Sequence, residues 1–600
     1  MSEWEFNPPD LEDFFRYATI SAYAASEDGA QIVLGTNLGG VFDVWGVRPE
    51  VGYPHQLSHM GQMVHDLHYD PQGRYILVSA DHDGDENTQL YLLPPRGGSL
   101  KPLRTAPGHR HIVLHVSKDG NRIYYASDKE NALFMNNYRF HLDTGQEETL
   151  IVGAEGPTYI AQVSEDETWV VVLKMFSNTY VMGLYGKLGE DTMRPLVPDP
   201  SIPHVIYGAQ FYKESTIFVT TNYQEEFSYL ARYDIATGTL TKLIAQERED
   251  LRDIQIDRKR NRLFIMGTGG VEDHLYMVDL DSDDWVLQSW PLPVSVVANW
   301  SVTNDGVVYV LGQSEILPNN LYRAEPFHAW TPLTDNRSMG ISPATATKAT
   351  IVRYPSFDGT LIEALWFSPQ ADRRNGYTII WPHGGPQAAE RKQFRSVVQY
   401  LVSQGYQFFA PNFRGSTGYG KSFARLVEGD WGDGPRRDLI AGIEWLIAQR
   451  MVEPGHLFLL GGSYGGYMSL LLHGRHSEYF RAVVDLFGPS DLRTFYHSVP
   501  DSWKPVMNQF LGNPEENPEK FVEDSPITYV EYMTRPMLVI QGANDPRVVQ
   551  HESDQLVDAL RKRGRDIEYM VLPDEGHGFS KKENEIAVYR QIVDFLKRHQ

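Results

Sequence analysis

The sequence predicts two unlike halves: an N-terminal all-β half folded as a seven-bladed propeller, and a C-terminal half in which strands alternate with helices around a mostly parallel sheet. Three observations carry this. From about Ala18 to Gly340 a weak unit recurs roughly every 44 to 48 residues, the length of a four-stranded blade. Near Ile341 the text changes to short apolar runs separated by amphipathic segments, the pattern of a doubly wound sheet. Finally, 600 residues exceed what one hydrophobic core organises, so two or more domains are required.

In the first half each unit opens on a hydrophilic turn. These turns are Ser26-Glu27-Asp28-Gly29, Asp70-Pro71-Gln72-Gly73, Ser117-Lys118-Asp119-Gly120, Ser164-Glu165-Asp166-Glu167, Lys213-Glu214-Ser215, Arg260-Asn261 and Thr303-Asn304-Asp305-Gly306. An alternating apolar strand follows each one, beginning at Gln31, Arg74, Arg122, Trp169, Thr216, Arg262 and Val307. A later strand is marked by Leu90-Tyr91, Leu230, Leu275-Tyr276 and Leu321-Tyr322. Seven turns give seven blades. A β-sandwich pair or a β-solenoid has similar strand density, but neither accounts for a repeat that stops after seven copies. The acidic pair Glu225-Glu226 reads as a solvated turn between blade strands and not as a substrate site.

Ser342-Pro343-Ala344-Thr345-Ala346-Thr347 is a small-residue linker, and it divides the chain into residues 1–340 and 341–600. The N-terminal extension is free to pack on the second domain. In that domain strands are expected at Thr378–Trp381, Gln407–Ala410, Leu457–Leu460, Ala482–Val484, Met537–Ile540 and Tyr569–Leu572. Helices are expected over Phe394–Ser403, Arg436–Arg450, His551–Arg563 and Glu583–Arg598, each apolar on one face. In such a sheet ligands bind beyond the carboxyl ends of the strands.

The chemistry is concentrated there. Gly461-Gly462-Ser463-Tyr464-Gly465 follows an apolar strand and precedes a helical run, the G-x-S-x-G elbow of the α/β-hydrolase fold. A serine at so sharp a turn needs neighbours with almost no side chain. Its hydroxyl is a poor nucleophile without a base, which an acid must orient, and in this fold class those partners follow in the order Ser, Asp or Glu, His. Asp545 lies just past strand Met537–Ile540, and His577, between two glycines, lies just past Tyr569–Leu572. Asp574 and Glu575 are too close to His577 in sequence to reach back to it. The loop Pro382-His383-Gly384-Gly385-Pro386 is kin to glycine-rich oxyanion motifs, so the Gly385 and Tyr464 N–H groups are the expected oxyanion donors. The loop after Ala482–Val484 supplies Phe487, Phe495, Tyr496 and Trp503 as candidates for an apolar acyl-side pocket.

These motifs, together with Asn412-Phe-Arg-Gly-Ser-Thr-Gly-Tyr-Gly420, Gly429-Asp-Trp-Gly432 and Asp545-Pro-Arg-Val548, resemble the prolyl oligopeptidase family. Tyr464 and Pro386 make the resemblance strongest to its acylaminoacyl-peptidase branch. The resemblance spans nearly the whole chain and implies a serine peptidase for short peptides, with the propeller restricting access. It also leaves room for a small-molecule esterase or amidase, for a dipeptidyl- or carboxypeptidase-type oligopeptidase, and for a propeller-based binding protein with an idle hydrolase domain. The intact Ser463, Asp545 and His577 set argues against the last.

Composition narrows the partners. A net charge of −24 disfavours nucleic acid, which calls for a basic face. With no cysteine, a thiol nucleophile, disulfides and thiolate-held metal are excluded, and no motif asks for a metal or organic cofactor. No secretory signal and no membrane-spanning run of apolar residues is visible, so the expectation is a soluble cytoplasmic enzyme. Homo-oligomerisation is left open.

Overall fold

The structure, a computed structural model, describes residues 9–190, 192–213, 215–282, 284–342 and 346–600. The linker positions Pro343, Ala344 and Thr345, and Glu214 of the fifth turn, lie outside the described residues.

Seven four-stranded antiparallel sheets occupy residues 20–56, 64–104, 111–152, 158–195, 206–244, 250–290 and 296–332. The expected turns join the first strand of each blade to the second. That second strand does not alternate: Ile32–Thr36 and Ile76–Ala80 are buried at every position. The reason is stacking, since the middle of a blade is covered by a neighbour on each face. Seven apolar clusters accordingly lie between successive blades, one of them joining the first blade (Ile20, Tyr23, Leu34) to the last (Tyr309, Leu311, Leu321). No strand is exchanged to close the ring among the described residues. It closes through side chains instead: Tyr23 Oη lies 2.9 Å from Ser301 Oγ, and Asn336 both donates to Ala18 O (2.6 Å) and accepts from Ala18 N (3.1 Å).

The C-terminal half holds one eight-stranded sheet in the order Thr350–Pro355, Leu361–Phe367, Gln407–Asn412, Thr378–Ile380, Leu457–Gly462, Phe480–Leu486, Met537–Gly542, Ile567–Leu572. The six expected strands form its parallel part, and two antiparallel strands at the front extend it. Those two were not foreseen, because an antiparallel hairpin beside a linker carries no βα alternation to announce it. Side chains alternate across the sheet: Leu457 and Leu459 enter one core, Phe458 and Leu460 the other. The helices Ser396–Ser403, Gly434–Ala448, Gln550–Arg561 and Lys582–Arg598 cover the two faces. Helix Leu11–Phe15, closed by an Asp10–Asp13 capping box, buries Leu11, Phe14 and Phe15 in the second of these cores, with Phe14 edge-on to Tyr400 and Phe15 stacked on Tyr589. Among the described residues no helix is long and apolar enough to cross a membrane.

The propeller sits over the carboxyl end of the sheet, and the contact is intimate. A Cβ placed on Gly576 would lie 2.2 Å from Gly84 O, so two glycine backbones touch beside His577. Ion pairs run across the boundary: Arg391–Asp273 (2.6 Å), Lys392–Glu272 (2.6 Å), Arg547–Glu86 (2.7 Å) and Lys581–Asp83 (3.2 Å). Glu226 lies in an exposed turn between blade strands, as expected, and adds hydrogen bonds to this contact. Its carboxylate accepts from Ser422 N (2.6 Å) and Ser422 Oγ (2.8 Å), satisfying the open N-terminus of helix Lys421–Arg425 from the other domain. Its neighbour Glu225 pairs with Lys242 within the blade.

Candidate active site

Strand Leu457–Gly462 ends in a turn at Ser463, whose φ of 58° and ψ of −124° are costly for a residue with a Cβ; such conformations cost about 1–3 kcal/mol. The flanking glycines make the turn possible. A Cβ on Gly461 would lie 2.2 Å from Gly465 O, and one on Gly465 would lie 2.1 Å from Pro382 O. Helix Tyr464–His476 starts at the next residue. This brings the serine to the sheet's carboxyl edge at the positive end of a helix.

His577 and Asp545 meet it there. His577 Nε2 is 2.9 Å from Ser463 Oγ, and His577 Nδ1 is 2.6 Å from Asp545 Oδ2. The Asp545 side chain is fully buried and that of His577 is 7% exposed. The other Asp545 oxygen, Oδ1, accepts the Arg547 N–H (2.8 Å) and the Val548 N–H (2.9 Å), fixing the carboxylate. Glu575, two residues before the histidine, is fully buried and turned away. It accepts Ser580 N (2.8 Å), Ser580 Oγ (2.7 Å) and Lys581 N (2.9 Å), tying the histidine loop into one piece. Asp574 pairs with Lys581. Neither acid contacts His577.

The loop bearing Gly384 and Gly385 passes over the serine: a Cβ on Gly384 would lie 3.5 Å from Ser463 Cβ. Gly385 adopts φ +128°, reserved for glycine. The N–H groups of Gly385 and Tyr464 make no hydrogen bond to another group among the described residues; the second is one of the four donors that the start of any helix leaves open. The loop is held by His383, stacked on Phe413 at 4.2 Å, with Nδ1 donating to Gly384 O (2.7 Å) and Nε2 facing Ser416 Oγ (2.8 Å). Burial pushes the His383 pKa down to about 4, so at neutral pH it is an uncharged strut. Arg414 makes a two-pronged pair with Asp438 (2.9 and 2.8 Å) that braces its own loop. Tyr464 sends its side chain away from the site, donating to Trp431 O (2.6 Å).

Two cavities flank the catalytic group. One of about 300 Å³ opens at Gly385 and is walled by Trp503, Met507 and Phe510 from the hydrolase and by Met135, Tyr159 and Met175 from the propeller. The other, about 450 Å³, is bounded by His577, Gly578 and Phe579 on one side and by Met63, Asp81 and Glu86 on the other. Of the four aromatic residues singled out in sequence, only Trp503 lines the first cavity. Phe495 is buried against Trp431, Tyr496 packs on Phe521, and Phe487 packs on the His577 ring. The propeller wall was not legible in sequence, because nothing in a blade repeat tells which strand end faces another domain. Glu86 was missed for the same reason. It sits at φ +56°, and its carboxylate accepts from Arg547 Nε (2.7 Å) and from Arg110 (3.3 Å), linking blade two to the loop that carries Asp545.

Comparison with known proteins finds matches for both halves of the chain. Residues 392–600 match the family model described as prolyl oligopeptidase family, and residues 56–329 match its N-terminal β-propeller domain. The chain is 27% identical over 605 residues to dipeptidyl aminopeptidase BIII of Pseudoxanthomonas mexicana, covering 95% of this chain and 85% of that one. It is 34% identical over 604 residues to dipeptidyl peptidase family member 6 of Caenorhabditis elegans (87% and 77%). A shorter stretch of 257 residues is 26% identical to the human acylamino-acid-releasing enzyme (41% and 35%). Among solved structures, a puromycin-hydrolyzing peptidase of Mycobacterium tuberculosis superposes with a TM-score of 0.84 at 18% identity, covering 99% of this chain and 96% of that one, which shows a shared fold.

Proposed function

The chain belongs to the prolyl oligopeptidase family and is a serine peptidase, and from that premise we propose that Ser463, His577 and Asp545 cleave short peptides through an acyl-enzyme, releasing an N-terminal, acylated amino acid. The observation that carries the residue assignment is the continuous hydrogen-bonded line from Ser463 Oγ through His577 to Asp545, at 2.9 and 2.6 Å. Ser463 Oγ attacks the carbonyl carbon as His577 Nε2 takes its proton. Asp545 holds the Nδ1–H tautomer and balances the imidazolium. The new oxyanion is received by the Gly385 and Tyr464 N–H groups, each donor lowering the barrier by about 2.7–4 kcal/mol. His577 then protonates the leaving nitrogen as the C–N bond breaks. Water, deprotonated by the same imidazole, returns the acyl group to solution and the proton to Ser463.

The methionine- and tryptophan-lined cavity beside Gly385 suits a bulky apolar side chain on the acyl side. The propeller over the strand ends limits access to extended, short chains. A second reading, removal of an unblocked dipeptide, is favoured by one observation: the relatives that align across most of the chain carry dipeptidyl-peptidase names. Turnover of acetyl-Phe anilide, a free dipeptidyl anilide and a p-nitrophenyl ester separates the readings. Hydrolysis of the first alone supports the acylated substrate, hydrolysis of the second alone supports the dipeptidyl reading, and reaction of the ester alone overturns both. Fluorophosphonate labelling that persists in Ser463→Ala would overturn the assignment of the nucleophile.

A further inference from the structure

Of the four adjacent strands that end at the site, Phe480–Leu486 is the one that lends no residue to the triad. Its terminal turn nevertheless touches two of the triad's members. Leu486 O accepts the Ser463 N–H at 2.9 Å. The next residue, Phe487, takes φ +43°, a conformation that an aromatic L-residue rarely adopts. Its N–H donates to Ile540 O (2.9 Å), on the strand that leads to Asp545. Its ring centroid lies 4.7 Å from that of the His577 imidazole, with 53° between the planes. Cε2 of the same ring is 3.4 Å from where a Cβ on Gly462 would stand. The ring thus packs against both the nucleophile's turn and the base.

The turn is latched from below. Asp485 is fully buried, and its Oδ1 accepts the Gly488 N–H at 3.0 Å, while Oδ2 has no partner among the described residues. Gly466 and Gly488 crowd this carboxyl so closely that a Cβ on either would lie 2.4 or 2.5 Å from Oδ1. Burial pushes the Asp485 pKa well above the usual carboxylate range. A carboxyl without an ion partner and an aromatic residue in the left-handed region both disfavour folding. Here they stand two residues apart, in the turn whose aromatic ring packs on the base. His577 itself is flanked by Gly576 and Gly578, which offer no side chain to hold it.

We propose that Phe487, kept left-handed by the Asp485–Gly488 latch, is a positioning residue for His577: its ring is the wall that holds the imidazole in line between Asp545 and Ser463. The proposal rests on the triad reading above, which the Ser463→Ala labelling test judges separately. Small displacements of a catalytic group can cost about a hundredfold in rate, and that is the loss expected in kcat for Phe487→Asn. Asparagine tolerates the left-handed backbone but lacks the ring, so KM stays near that of the parent while the emptied space lowers the melting temperature. Labelling by a fluorophosphonate slows by the same factor as kcat, and the downfield proton resonance of the His577–Asp545 hydrogen bond broadens or disappears. Phe487→Leu, which refills the space, recovers most of the rate. Asp485→Asn, which keeps the oxygen that accepts the Gly488 N–H, behaves as the parent, whereas Asp485→Ala follows Phe487→Asn. The proposal is overturned if Phe487→Asn retains kcat within about threefold with the downfield proton intact, or if its loss falls on KM instead of kcat. Equal losses in Asp485→Asn and Asp485→Ala would remove the latch from it.

Discussion

In the propeller every strand pairs with the strand before or after it in sequence, and each blade is complete within about 45 residues. In the hydrolase half, strand Leu457–Gly462 pairs with Thr378–Ile380 and Phe480–Leu486, and the three residues of the candidate triad arrive from the ends of three different strands over more than a hundred positions. The propeller is a stack of local units whose energy is spread over seven similar interfaces. The hydrolase concentrates its chemistry at one edge, where a shift in any strand is felt by the others. A substitution should therefore register as stability in the first half, as kcat at the strand ends of the second, and as KM on the wall the halves share.

The sharpest way to break this division is at the triad. Ser463→Ala should lower kcat about a millionfold and Asp545→Asn about ten-thousandfold, both with unchanged melting temperatures, read by anilide turnover beside calorimetry. A large drop in stability would mean that these residues hold the fold. Leu263, fully buried between the fifth and sixth blades, makes the opposite case. Leu263→Ala should cost about 2–5 kcal/mol of stability and leave kcat of the surviving folded enzyme alone; a parallel fall in kcat would show the blades coupled to the site.

A pH titration of stability probes the hydrolase interior. Burial, with Arg535 and Arg565 adding repulsion, pushes the His473 pKa down to about 3, and burial pushes that of His383 down to about 4. In the unfolded chain both imidazoles take a proton near pH 6.5. The unfolded state therefore binds more protons as the pH falls below 6.5, and stability is lost on acidification towards pH 4. His473→Gln should flatten that limb of a denaturant midpoint against pH, and an unchanged slope would assign the loss elsewhere. The smallest effect belongs to the shared wall. Met175→Ala should cost about tenfold in kcat/KM for a bulky apolar acyl group and little for a glycyl one, through KM, in a paired-substrate assay; equal losses would deny the propeller a part in selection.

By itself the sequence determined what local rules control. Seven blades follow from turn chemistry at a fixed spacing, because hairpins are decided by neighbours in the chain. The alternating strands and helices, the glycines around Ser463 and the order Ser463, Asp545, His577 follow from equally local constraints on a sharp turn and on strand ends. Only the tertiary structure decided what depends on two distant segments meeting: the fully buried middle strands, Glu226 capping a helix of the other domain, the Met135 and Met175 wall, and Phe487 turned onto the His577 ring where sequence suggested a pocket. Side-chain type and spacing specify which face of a strand is apolar. They do not specify what lies opposite that face, and at the boundary between two domains that partner settles the role of each residue.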